Sequence, residues 1–229
     1  LRRLSYDLTG LPPAMEEMEA FVKESAMDGP GALQRATVRL LVSPRYGERQ
    51  ARHWLDVARY ADTKGYVYGR EERFFVQAPG YRDWVIRAFN EDLPYDQFLR
   101  LQIAADQLVP PHSPDRAAMG FITLGRRFLG VMHDIIDDRI DVVTRGTMAL
   151  TVQCARCHDH KYDPVSARDY YALYGVFRAS DDRLERMGPE VKDAELEKLL
   201  KSLAGGMQRR REEVGGRLRA RVADYLAAQ

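Results

Sequence analysis

The sequence predicts an all-α fold: an irregular multi-helix domain with long loops and a charged C-terminal helical hairpin. Three observations carry this. Apolar residues recur at helical spacing in segment after segment. Proline or a serine–proline pair stands at several segment entrances, where helices start. No alternation of apolar and polar residues persists long enough to build a strand.

The elements follow in order. "PPAMEEMEAFVKES" offers Pro12 and Pro13 at a helix entrance, acids in the first turn, and Met15, Met18, Phe21 and Val22 on one face. "GALQRATVRLLVS" continues the helical period. "SPRYGERQARHWLDVARYAD" then starts at a Ser43 cap with Pro44 in the first turn, and sets Ala51, Trp54, Leu55 and Ala58 as an inward stripe. Residues 62–79, "DTKGYVYGREERFFVQAP", break the period with glycines, charges and aromatics, which predicts an irregular surface excursion. Long excursions of this kind are often functional. Tyr66, Tyr68, Phe74 and Phe75 within it are the candidates for substrate or partner contact. Helices resume as "YRDWVIRAFN", "YDQFLRLQIAADQLV", "DRAAMGFITLG", "DIIDDRIDVVTRGTMALTVQC" and "ARDYYALYGVFRAS". After Ser180 the composition turns to Glu, Lys and Arg, with Leu196, Leu199, Leu200 and Leu203 ahead of a Gly205-Gly206 break. The division expected is a helical domain over 1–180 and a charged helical appendage, or linker to a further domain, over 181–229.

With 229 residues the chain is long enough to bury a substantial core without staples. Charged residues make up 30% with a formal net charge of +1, and basic runs such as "QRRREE" are interleaved with acids. That pattern lacks the one-sided basic footprint of a nucleic-acid binder. No apolar stretch approaches the roughly 20 residues that span a bilayer. The chain opens on Leu1 with a helix already approaching, so it reads as a segment of a longer protein.

Both cysteines and two of the five histidines fall in "TVQCARCHDHKYDP", residues 151–164. Cys154-x-x-Cys157-His158 is the attachment pattern of c-type haem. Two thiols on one helical turn can form thioethers with two vinyl groups, and the next imidazole then reaches the iron. Zinc is the rival, since Cys154, Cys157, His158 and His160 supply four N/S ligands. Structural zinc, however, draws ligand pairs from separated segments so that a tetrahedron closes without strain. A thioredoxin-like dithiol needs a βαβ context that is missing here. Haem c is therefore the expected cofactor, covalent at Cys154 and Cys157 with His158 as proximal iron ligand, and zinc the runner-up.

Four ordered stretches, "LRRLSYDLTGLPP", "SPRYGERQARHWLDVARYADTKGY", "YRDWVIRAFNEDLPYDQFLRLQIAAD" and "TVQCARCHDHKYDPVSARDYYALYGVF", resemble the cytochrome-C-associated domain of unknown function found in large secreted proteins of planctomycete-type bacteria. The resemblance covers about residues 1–180. It implies a cytochrome c module before this domain, a periplasmic or secreted location, haem attachment outside the cytoplasm, and a redox role. It also implies that His53, Arg59, Asp62, Asp159, His160, Lys161 and Asp163 belong to recurrent motifs of unassigned role. The expectation is an exported c-type haem domain for electron transfer within a larger redox protein, whose partner is a redox protein or the adjacent cytochrome c module. The alternatives are a haem-dependent enzyme with an open distal face, or a noncatalytic zinc- or carbohydrate-binding module with polysaccharide as its contact.

A second iron ligand is sought among the remaining histidines and methionines. If 134–153 is one helix, a rise of about 1.5 Å per residue puts His133 roughly 30 Å from Cys154 and removes it. His160, two residues beyond His158, spans at most about 7 Å and cannot round a porphyrin edge. His112 lies in a proline-rich turn. His53 thus remains as distal ligand or distal-pocket residue, with a hydrogen-bonded core role as its plainer reading. Met148 is a packing candidate, and Met187 and Met207 need the tail to fold back. Asp134, Asp137, Asp138 and Asp141 fall on one helical face, and their repulsion calls for a cation or for pairing with Arg126, Arg127, Arg139 or Arg145. Asp159, His160 and Asp163 are expected to orient His158 and turn the chain before Pro164. Tyr170, Tyr171, Tyr174 and Phe177 are expected to form core or the wall of a haem pocket.

Overall fold

The computed structural model describes residues 1–65, 73–186 and 194–227. Among them are ten α-helices: α1 (Arg2–Thr9), α2 (Met15–Met27), α3 (Gly29–Leu41), α4 (Pro44–Val57), α5 (Ala78–Asn90), α6 (Tyr95–Leu108), α7 (Gly120–Thr123), α8 (Met132–Met148), α9 (Ala167–Arg178) and α10 (Ala194–Ala227). Short 3₁₀ turns at Pro114–Met119, Phe128–Gly130 and Gln153–Arg156 link some of them. The described residues hold no strand, only an isolated antiparallel bridge between Thr63 and Phe74. The fold is all-α. The chain divides into two compact units, residues 1–188 and 189–229.

Helix starts follow local chemistry. The Glu17 carboxylate accepts the Ala14 N–H at 2.9 Å, Asp28 accepts the Gly31 N–H at 3.0 Å, and Ser43 accepts the Arg45 N–H at 3.3 Å, each satisfying a donor that the first helical turn leaves free. The α4 stripe reads as expected: Ala51 and Ala58 are buried, while Trp54 and Leu55 pack against the same core. Trp54 stacks on Phe121 of α7 at 5.6 Å and meets Phe98 of α6 edge-on at 4.9 Å. Its indole N–H donates to Gln102 Oε1 at 2.7 Å, which also accepts the Tyr81 hydroxyl at 2.7 Å, so the buried polar atoms of three helices satisfy one another. Gly47 of α4 lets α5 approach closely, because a Cβ there would meet the Ile86 carbonyl oxygen at 2.4 Å.

Four expectations are corrected. The apolar face expected on α2 is not buried: Met15 and Val22 are exposed, and α2 has no buried residue. This helix packs on its neighbour at the periphery, where few elements remain to cover it. Phe75 is a core residue 5% exposed rather than a surface contact, anchored where the Phe75 N–H donates to the Asp62 carbonyl at 2.8 Å. Phe74 is exposed, and Tyr66 and Tyr68 lie outside the described residues, as does Met187.

The third correction concerns the helix written as 134–154, which ends at Met148. Ala149 takes a left-handed conformation with φ 56°, and the chain closes through Ala149 N–H to Arg145 O and Leu150 N–H to Thr144 O. The fourth concerns the C-terminal segment, which is one helix and not a hairpin. A glycine inside a helix costs only about 1 kcal/mol, and the helix formers around each pair carry the helix through. Within α10, Gln208 donates to Glu212 at 2.8 Å, and Glu213 takes ion pairs from both Arg210 and Arg217.

Residues 181–186 belong to the first unit and are tied to it by ion pairs. Asp182 receives Arg139 at 2.7 Å and Arg127 at 3.0 Å, and Glu185 receives Arg116 at 2.6 Å.

Candidate functional site

Once α8 stops, the chain doubles back along it. Val152 and Ala155 bury their side chains in the core, Ala155 completely, and fix the Gln153–Arg156 turn from below. The residues between them face outward. Gln153 reaches Asp137 at 3.3 Å and Arg156 reaches Asp134 at 3.2 Å, so the turn runs antiparallel to α8, toward its N-terminus. α9 then lies antiparallel on α8 with matched turns: the Tyr170 hydroxyl donates to Asp137 at 2.5 Å, and one turn on the Tyr174 hydroxyl is hydrogen-bonded to His133 Nδ1. The Tyr171 hydroxyl donates to the Arg156 carbonyl at 3.0 Å, locking the turn from the other side.

On that turn Cys154 and Cys157 are both free thiols and both exposed. The Cys157 and His158 N–H groups bond the Cys154 carbonyl at 3.2 and 3.3 Å, which places all three residues on one helical turn. His158 Nδ1 lies 2.8 Å from the Asp159 carbonyl oxygen. A carbonyl only accepts, so Nδ1 carries the proton and Nε2 keeps its lone pair free for a metal.

The residues expected to steady His158 are placed as follows. The Asp159 backbone orients the imidazole, while its carboxylate accepts the Ala167 N–H at 2.8 Å and ties down the start of α9. His160 faces the opposite way: its Nδ1 accepts the Asp163 N–H at 3.0 Å and the Tyr162 N–H at 3.4 Å. The Asp163 carboxylate stands 3.2 Å from the same nitrogen, but two aimed backbone donors make Nδ1 the unprotonated atom and leave the proton on Nε2. His160 therefore closes the loop before Pro164 and presents no lone pair outward. Among the described residues, no group of three or more His, Cys, Asp or Glu side chains is arranged to hold a metal ion.

The other ligand candidates separate. His53 is exposed on α4 rather than a core residue. Val57, one turn along the same face, lies against Gly146 near the far end of α8, nine residues or about 13 Å up the helix from Asp137. Met148 ends α8 at that same far end and is exposed. His112 donates through Nδ1 to the Arg186 carbonyl at 2.9 Å. Met207 is exposed within α10. His133, set aside on the premise of a helix running to 153, instead stands at the end of α8 toward which the turn runs: it precedes Asp134, the residue that holds Arg156.

The four aspartates of α8 are paired with arginines. Asp134 and Asp137 meet Arg156, Asp138 meets Arg59 at 2.5 Å, and Asp141 meets Arg145 at 2.5 Å. Of the four arginines expected there, only Arg145 serves; Arg139 and Arg127 bind Asp182, and Arg126 lies over the Phe128 ring. The Asp134 hydrogen bond raises the Arg156 pKa and keeps it charged. Burial, then the bond to Asp137, pushes the Tyr170 hydroxyl well above its ordinary range. Tyr170 and Phe177 are core, and Tyr171 is 53% exposed beside the motif. Arg59 and Gln102 are positioned by partners distant in sequence, which no local pattern signals.

The fold and this turn define an all-helical domain that carries a surface C-x-x-C-H. A family model described as PSCyt2, protein of unknown function (DUF1549), matches residues 1–182. The chain belongs to this planctomycete family of cytochrome-C-associated domains. No curated protein and no solved structure matches it. No described helix is long and apolar enough to cross a membrane.

Proposed function

We propose that this domain attaches c-type haem through thioethers at Cys154 and Cys157, with His158 as the proximal ligand, and that it transfers electrons within an exported multi-domain protein. The observation that carries the reading is the state of the turn: two free exposed thiols one turn apart, followed by an imidazole whose Nδ1–H is committed to the Asp159 carbonyl. The donor set suits the group, since haem takes a single nitrogen from this motif and the sulfurs serve as covalent anchors rather than metal ligands. When bound, haem supplies a one-electron couple.

The chain's own residues do the holding. Ala155 and Val152 pin the turn to the core, and Arg156 clamps it to α8 through Asp134 and Asp137. Asp159 fixes the tautomer of His158. The adjacent cytochrome c module expected in such proteins is the natural electron partner, and export is what makes covalent attachment possible.

The test is the mass of the denatured polypeptide after production with c-type maturation in an exporting host. Retention of haem mass, lost in Cys154→Ser/Cys157→Ser, is expected. A colourless product with stoichiometric zinc would overturn the reading.

A further inference from the structure

We infer that His133 is the second imidazole of this site, reaching the iron opposite His158 and making the centre six-coordinate. The inference rests on the haem reading and adds to it. Its ground is the direction of the chain. Gln153 pairs with Asp137 and Arg156 with Asp134, so from Gln153 to Arg156 the turn advances toward the N-terminus of α8, where His133 is the next residue beyond Asp134.

Its ring is also held as a ligand is held. Tyr174 stacks on it, with centroids 5.8 Å apart and planes 15° apart, and its hydroxyl is hydrogen-bonded to Nδ1. The contact engages Nδ1 and leaves Nε2 on the outer edge of the ring; in the tautomer that carries its proton on Nδ1 the phenol oxygen accepts, as outer partners do for metal-bound histidines, and Nε2 holds the lone pair. Tyr171, whose ring centroid is 5.9 Å from that of Tyr174, bonds the Arg156 carbonyl and so links the holder of His133 directly to the cysteine turn.

The surroundings agree. Val131 and Met132, the residues just before His133, are each about half exposed, as is Tyr171, which leaves apolar surface beside the ring for a flat macrocycle to cover. The remaining histidines are engaged or on other elements: His160 offers no outward lone pair, His112 is tied to Arg186, and His53 is on α4, one turn before Val57, which packs at Gly146 near the far end of α8.

The experiment is optical and electron paramagnetic resonance spectroscopy of the ferric protein, with covalent haem checked in each sample by denaturing-gel stain. Wild type should be low-spin. His133→Ala should keep its covalent haem and become high-spin, and added imidazole should return it to low-spin. His133→Met should stay folded and show a histidine–methionine spectrum, which guards against loss by misfolding. Tyr174→Phe should remain low-spin with a shifted midpoint potential, and His53→Ala should match wild type. Covalent haem with a high-spin wild type, or an unchanged low-spin His133→Ala, overturns the inference and leaves the haem reading standing. Absence of covalent haem from every sample overturns both.

Discussion

Replacing Arg59 should be among the most damaging single changes in the helical core, and the reason is its position between α4 and α8. Its guanidinium donates to both Asp138 oxygens at 2.5 to 3.1 Å, to the Phe121 carbonyl at 2.9 Å and to the Ala58 carbonyl at 3.1 Å. The two side chains are only 18% and 16% exposed. Arg59→Ala strands the Asp138 carboxylate in that setting. Breaking a fully buried pair costs about 3–5 kcal/mol, and the residual exposure here favours the lower end, about 3 kcal/mol. For a unit of this size that lowers the melting temperature by about 6–12 °C.

Arg59 also adopts a left-handed backbone, φ 50°, which the alanine variant retains. Arg59→Gly should therefore be about 1 kcal/mol less damaging than Arg59→Ala. Gly125 sits against the same pair, since a Cβ there would lie 2.1 Å from Asp138 Oδ2 and 2.5 Å from an Arg59 guanidinium nitrogen. Gly125→Ala should phenocopy the loss. Urea unfolding of Arg59→Ala, Asp138→Asn and the double variant gives the coupling. A loss under 1 kcal/mol for Arg59→Ala, or strict additivity in the double variant, refutes this account.

Burial, then its hydrogen bond to Asp62 at 2.7 Å, pushes the Tyr60 hydroxyl from its usual 10.0 up to about 12. The stability tied to its neutral form is fully present below pH 10 and is lost as the pH rises through about 12. In Asp62→Asn, tyrosinate absorbance should appear at lower pH; an unchanged titration contradicts the contact. Ser166 and Asp169 cap α9 reciprocally, and the Ser166 bonds hold the Asp169 carboxyl below its ordinary range. Ser166→Ala should raise the Asp169 titration seen by NMR, and the lost serine cap should cost about 1 kcal/mol. Gly47→Ala should destabilise by about 2 kcal/mol, because its Cβ meets backbone, whereas Gly205→Ala, with nothing within 4 Å, should add helix stability of about 1 kcal/mol. Equal effects of the two glycine changes, measured by thermal unfolding, would remove the argument from close approach.

What the sequence disclosed and what it hid divide along a physical line. Helix periodicity is a local signal, and it placed the α4 stripe correctly. A left-handed cap built on alanine carries no such signal, because the glycine or asparagine that marks most of them is missing at Ala149. That one residue had a long reach. A helix extended past Met148 carries the cysteines away from His133, whereas a helix capped there sends the chain back beside it. Ion pairs behave alike: four aspartates at helical spacing announce that compensation is needed, but Arg59, 79 positions from Asp138, is chosen by the packing of α4 on α8 and not by any pattern near either residue. The C-x-x-C-H pattern was legible in five letters, and its neighbours had to be found in three dimensions.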